Sequence, residues 1–386
     1  MRLRSTVEQT WDRDDLSACL EVAAESPTED FVEHFRGFLG SEAPLWTFPS
    51  GRAALRAVLA KATTNGRKRV LVCDLNCPVV PEAVMNAGGI VQTYDLGSPN
   101  GRMDWGRIAD RLTRNHAAIV VPHFFGVPTD FRSLLPHARD LGVLVIEDCA
   151  HALGATIEGE TVGTFGDAAI FSFNFDKPIS LGGGGVLLVG NRELASRFNI
   201  TTESPSLEQE LLSVEAFLDF LEAHRSRIPP KPLWARALRK AAEMLRLRPR
   251  LTMPACTGIG PLRSALGVWQ LKRYAATMAA RNRHARLLEE WNAGRTWHRE
   301  QNVVPAWVRQ KVIPKNPKLA DAISLSLRRK GLRVGRFNWR QTVGSWLGRR
   351  ARGNARSVAK YSLDVPIHQN MTEPEMQLIQ EELDRR

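Results

Sequence analysis

Between residues 45 and 190 the sequence alternates short apolar runs with helical patterns, and this alternation constrains the fold more than any other feature. "RVLVCD" (69–74) reads as a strand, "VVPEAVMNAG" as a helix and "IVQTYDL" as the next strand. A helix around 104–113 follows, then "AAIVVPHFF" as a strand, "DFRSLLPHARDLG" as a helix and "VLVIED" as a strand. "DAAIFSF" and "GGVLLVG" add two more strands close together. The runs are continuously apolar, so both faces of each strand need covering. Strand–helix–strand repetition then predicts an α/β fold, a mainly parallel central sheet with right-handed crossovers and flanking helices.

The pattern changes after residue 190. Residues 206–290 read as helical, "SLEQELLSVEAFLDFLEAH" being strongly amphipathic and "SRIPPKP" breaking the pattern. "SALGVWQLKRYAATMAARNRHARLLEEW" reads as one long linking helix. The remainder holds weak strand signals in "NVVPAWV" and "GLRVGRFNW" and ends in "TEPEMQLIQEEL", a helix with a threonine cap and an acidic first turn. The expected organisation is a large domain over 1–270, carrying a helical insertion at about 200–250, and a linking helix with a small α+β C-terminal domain over 271–386.

Composition removes several classes of function. At 43% hydrophobic and 24% charged, 386 residues bury a large core. "MRLRSTVEQTWDRDDLS" lacks the apolar core of a signal peptide, and no apolar run reaches transmembrane length, so a cytoplasmic protein without a membrane partner is expected. The five cysteines (Cys19, Cys73, Cys77, Cys149, Cys256) are scattered and read as free thiols, and Cys73/Cys77 have no second pair at zinc-finger spacing, so no metal is expected. The net charge of +12 favours anionic partners in general and is concentrated in "RALRKAAEMLRLRPRL" and "GSWLGRRARGNARSVAK". Neither segment carries a nucleic-acid-binding signature; both read as solvated basic faces.

Several polar residues fall at strand ends, where ligands sit in open parallel sheets. "VLVIEDCAHALG" finishes a strand with Glu147 and Asp148, followed by His151. Ser50-Gly51-Arg52 stands before an Ala/Leu-rich helix, as a plain cap or as a phosphate seat. Ser172 lies on the strand before Lys177, and Gly182–Gly185 follow that lysine, letting the chain turn sharply. Singly, each has a structural reading: His151 as a satisfied core histidine, Lys177 as a loop lysine. Together they describe pyridoxal phosphate, which needs a lysine amine for its aldehyde, a carboxylate for its ring nitrogen and helix-start donors for its phosphate.

The span 45–190 resembles the large domain of the DegT/StrS-type sugar-nucleotide aminotransferases, a branch of the fold-type I pyridoxal phosphate enzymes. The resemblance is carried by "SGRAAL", "VPHFFGVPTDF", "VIEDCAHALGA", "GTFGDAAIFSFNFDKPISLGGGGVLLV" and "LDVPIHQNMTEPEMQLIQEEL". It implies that Asp148 pairs with the pyridine nitrogen, His151 approaches the ring hydroxyl, Ala150 lies under the ring, Ser172 binds phosphate and Lys177 carries the cofactor. Arg52 replaces the family's usual threonine and could supply charge to the phosphate; Cys77, in "DLNCPVV", stands where the family has a ring-stacking aromatic. "CTGIGPLRSALG" lacks the family's Asn-x-Arg pattern, which reaches the neighbouring subunit's phosphate. The implied activity is amino transfer from an amino acid, glutamate or glutamine, to a keto sugar, nucleotide-linked, in polysaccharide or secondary-metabolite synthesis, by a homodimer. The alternatives are another pyridoxal phosphate reaction on an unusual acceptor, or a non-catalytic member acting as a regulator.

Overall fold

A computed structural model describes residues 11, 13–25, 29–64, 66–174, 176–200, 203–212, 214, 258–291, 296–336, 341–349 and 353–385. The expected helical insertion lies largely outside them, and the basic run 236–251 and Cys256 entirely so. The seven strands of the central sheet are β1 (Leu45–Phe48), β2 (Arg69–Cys73), β3 (Ile90–Tyr94), β4 (His116–Pro122), β5 (Leu144–Asp148), β8 (Ala168–Ser172) and β9 (Gly185–Val189). Their order is β1-β9-β8-β5-β4-β2-β3. The pairs β2–β3, β2–β4, β4–β5 and β5–β8 are parallel, whereas β9 runs antiparallel to both β8 and β1. The sheet is therefore mixed and mostly parallel, as the alternation of strands and helices predicts.

The continuous apolar runs follow from two cores. Successive side chains of a strand point to opposite faces. Val70, Val72, Ala118, Val120 and Ile146 enter one core, while their neighbours Leu71, Cys73, Ile119, Val121 and Val145 enter another. Helices Gly51–Ala62, Val79–Asn86 and Leu135–Leu141 connect consecutive strands. "AAIVVPHFF" is a strand only as far as Pro122. Phe124–Gly126 form a tight turn in which Phe125 has φ +60, because its N–H turns towards His151. The helix expected around 104–113 is shorter, Trp105–Ala109 with Asp104 as its cap.

The C-terminal half adds a three-stranded antiparallel sheet, β11 (Gln310–Val312), β13 (Leu363–Val365) and β12 (Gly335–Arg336), in that order. The signal "NVVPAWV" holds only the two-residue strand Val303–Val304, outside this sheet, and "GLRVGRFNW" holds β12; β11 and β13 lie in segments without a strand signal, and 337–340 lie outside the described residues. Helices Pro317–Arg329 and Glu373–Asp384 pack together beside this sheet. The second begins with Thr372 as N-cap in a reciprocal box with Glu375. The junction expected near residue 270 falls inside a helix that runs Pro261–Trp291. Val312, Leu363 and Val365 belong to the same core as Leu71 and Ile119, so the small sheet and the parallel sheet share one apolar interior. Among the described residues no helix is long and apolar enough to cross a membrane.

The four-glycine run closes the connection from β8 to β9. Gly182, Gly183 and Gly184 have φ of +71, +153 and +95, a region closed to most side chains. Gly185 has no such φ and is needed for space: a Cβ there would lie 2.4 Å from the Gly51 nitrogen and 2.5 Å from the Ser50 carbonyl carbon. These neighbours are backbone and cannot swing away. Gly185→Ala is expected to lower stability by about 1–3 kcal/mol, the usual cost of overpacking. A urea midpoint equal to that of the parent protein would contradict this account of the turn.

Candidate active site

A cavity of about 290 Å³ opens at the carboxyl ends of β2, β4, β5 and β8, where the strand topology predicts a ligand. All nine residues expected from the sequence line it: Ser50, Gly51, Arg52, Cys77, Asp148, Ala150, His151, Ser172 and Lys177. Their elements explain the convergence. Asp148 ends β5, Ala150 and His151 follow in the turn after it, Ser172 ends β8, and Lys177 lies in the loop from β8 to β9. Ser50 and Gly51 open the helix Gly51–Ala62.

Ser50 is a true N-cap, its Oγ accepting from the Ala53 N–H at 3.2 Å. A Cβ on Gly51 would stand 2.8 Å from Ser172 Cβ and 3.2 Å from Ser172 Oγ, so the glycine lets the helix start lie against that serine. A helix N-terminus beside a hydroxyl is a seat for an anion. Arg52 points outward, half exposed, with its guanidinium 3.6 Å from Glu82.

Asp148 and its neighbour Glu147 have different fates, because they point to opposite sides of β5. Glu147 is fully buried; its carboxylate accepts from the N–H groups of Gly163, Phe165 and Gly166 and from His123 Nε2, which makes it a structural anchor. Asp148 lines the cavity and accepts from the Ala150 N–H at 3.1 Å. Among the described residues it makes no ion pair. Burial pushes its carboxyl above the ordinary value, against opposing effects from the Ala150 N–H, Lys177 and His123.

Lys177 Nζ lies 2.9 Å from His151 Nε2 and 3.4 Å from Asp176 Oδ1. Burial, followed by the Lys177 and Arg309 charges, holds the His151 ring well below the usual imidazole range, so it is neutral. Its Nδ1 accepts from the Phe125 N–H at 3.4 Å, which leaves the ring proton on Nε2, facing Lys177. The strained turn at Phe125 thus selects the tautomer.

Two features escaped the sequence reading. Asn76 is buried and lines the cavity; its Oδ1 accepts from the Cys77 N–H at 2.8 Å, and its Nδ2 has no partner. Nothing in "DLNCPVV" separates it from a turn asparagine. His123 and Phe124 also line the wall, in the quoted "VPHFFGVPTDF". Cys77 sits where its place in the sequence suggests, but burial raises its thiol pKa, so it is a poor nucleophile. The segment without the Asn-x-Arg pattern also has a local explanation. The buried Glu210 carboxylate accepts from the N–H groups of Gly260, Leu262 and Arg263 and from Arg263 Nε, capping the long helix from within the same chain.

The donor set fits pyridoxal phosphate. A half-buried carboxylate with no ion pair among the described residues suits a protonated ring nitrogen, an amide donor without a partner among those residues suits a polar substituent, and a lysine stands within the same cavity.

Comparison with known proteins agrees with this geometry. GDP-perosamine synthase of Escherichia coli O157:H7 is 27% identical over 185 residues, 47% of this chain and 51% of that protein. The L-glutamine:scyllo-inosose aminotransferase of Streptomyces griseus is 29% identical over 180 residues, 47% of this chain and 42% of that protein. The match thus spans about half the length of these curated relatives. The putative sugar aminotransferase Spr1654 from Streptococcus pneumoniae, solved in its PLP-form, shares the fold with a TM-score of 0.74 at 15% identity, over 99% of this chain and 97% of that one. The motifs around the cavity all lie within residues 21–210, the stretch that matches the DegT/DnrJ/EryC1/StrS aminotransferase family.

Proposed function

We propose that this protein is an aminotransferase that holds pyridoxal phosphate on Lys177 and moves an amino group from glutamate or glutamine to a keto group of a nucleotide-linked sugar. The observation that carries the reading is the convergence of Lys177, His151 and Ser172 on one cavity with a half-buried carboxylate, Asp148, that makes no ion pair among the described residues. The relatives support different halves of the reading: one is named for a GDP sugar, and the other is named for L-glutamine as the partner of its keto substrate. The net charge of +12 suits a diphosphate-bearing acceptor.

When bound, pyridoxal phosphate supplies an aldehyde that captures amines and a cationic ring that accepts the electron pair left on a deprotonated carbon. The chain's own groups do the rest. Asp148 would hold the protonated ring nitrogen, while the helix start at Ser50–Gly51 and Ser172 Oγ would hold the phosphate. Lys177 Nζ would be the base that takes the proton from the donor's α carbon and later returns one. The neutral His151 keeps Nε2–H aimed at Nζ and so orients the lysine without adding a charge.

Lys177→Ala is expected to reduce turnover by about 10²–10⁴-fold or more, the range typical of a general acid–base group. Parental turnover in that variant would refute the assignment of Lys177. The purified protein with added pyridoxal phosphate is expected to turn yellow and to bleach with glutamate.

Asp148 makes a separate test possible in the cofactor-free protein. An acid whose folded pKa is raised gains protons on folding, so its contribution to stability falls as pH rises through its titration. Asp148→Asn removes that charge. It is expected to raise the thermal midpoint of the cofactor-free protein at pH 7 by a few degrees and to slow turnover by about 10²-fold or more. A lower midpoint together with undiminished turnover would contradict the role given to this carboxylate.

A further inference from the structure

Two contacts on Lys177 favour opposite protonation states. His151 Nε2–H, 2.9 Å away, is complementary to the free amine, whose lone pair accepts it. The Asp176 carboxylate, 3.4 Å away, favours the ammonium. Only the amine can react with an aldehyde: its lone pair forms the new C–N bond and water leaves, and an ammonium has no lone pair to offer. The balance between the two contacts therefore decides whether the lysine is competent.

A third group bears on that balance, and it comes from the small sheet. Arg309, just before β11, is 5% exposed and sets its Nη2 2.9 Å from Asp176 Oδ2 and 3.5 Å from the Asp176 carbonyl oxygen. Its Nη1 lies 3.6 Å from Asp364 Oδ2 on β13. Asp364 also pairs with Lys311, directly opposite it in the β11–β13 register. Lys311 Nζ in turn stands 4.5 Å above the Phe125 ring, the residue whose N–H selects the His151 tautomer. Arg309 and Lys311 are two apart on an extended segment, so both reach the same side. Arg309, Lys311 and Asp364 are buried and the side chains of Lys177 and Asp176 are only 13% and 29% exposed, so these charges are partly shielded from water.

We propose that Arg309 is a positioning residue that draws the charge of Asp176 away from Lys177 and so keeps the lysine as the amine its cofactor needs. The inference rests on the cofactor reading above. The other titratable groups on the lysine's cavity, among the described residues, are His151, which is neutral, and Asp148, Cys77, Arg52 and His123 on its wall. Removing Arg309 leaves Asp176 to Lys177 alone and favours the ammonium; removing Asp176 as well takes away the counter-charge and restores the amine.

The test uses the full chain, freed of cofactor, at pH 7. Pyridoxal phosphate is added briefly, the adduct is reduced with borohydride, and the modified fraction of Lys177 is measured by peptide mapping. Arg309→Gln is expected to lower that fraction by about three- to tenfold. Arg309→Lys is expected to recover part of the loss, and the double variant Asp176→Asn/Arg309→Gln to return to within about twofold of the parent. Unchanged labelling in Arg309→Gln overturns the proposal. So does a loss that Asp176→Asn fails to rescue, since Arg309 would then act through the fold. Absence of labelling at Lys177 in the parent protein overturns the cofactor reading itself, and a labelled parent with indifferent variants overturns this inference alone.

Discussion

The site depends on three backbones coming closer than side chains would allow. The end of β8, the start of β9 and the first turn of the helix Gly51–Ala62 meet with Gly51 against Ser172 and Gly185 against Ser50–Gly51. Antiparallel β9 pairs along β8, with Phe171 opposite Val186 and Ser172 opposite Gly185. The lysine loop is therefore tied at both ends to one side of the cavity. The helix start, with its concentration of N–H groups, is tied to the same place. A side chain at either glycine would collide with these neighbours, and the serine, the helix terminus and the lysine loop would be pushed apart.

Around that cradle the chain buries more charge than a stable core requires, and the arrangement separates structural from reactive groups. Glu147 is saturated by three backbone donors and His123, and Glu210 by three backbone donors and Arg263. Such saturation offsets the cost of taking a carboxylate out of water. Among the described residues Asp148 has one backbone donor and no ion pair, and the Asn76 amide nitrogen has no partner. Incomplete satisfaction marks where a ligand would complete the network, and both groups face the same cavity.

Much of this was legible before any coordinates. Continuous apolar runs separated by helical patterns require a sheet covered on both faces, because a strand with an open face would alternate. Strand ends then became the place to look for polar residues, and Asp148, His151, Ser172 and Lys177 were found there together. Shorter features were less legible. The 3-residue turn at Phe124–Gly126 sits inside an apolar run that continues a strand by pattern, and only the contact with His151 explains its ending. Glu147 and Asp148 are adjacent and chemically similar, so which one faces the cavity depends on the phase of the pleat.

By itself the sequence determined the chemistry available and the class of fold, because both follow from local facts: residue type, period along the chain and the order of strands and helices. Only the tertiary structure decided the pairings among charges distant in the chain. Asp176 and Arg309 are 133 residues apart, and Lys311 and Asp364 are 53 apart. No periodicity links such residues, since a contact between separate elements depends on how the small sheet packs against the parallel one. The sharing of Asp176 between Lys177 and Arg309 is set by that packing.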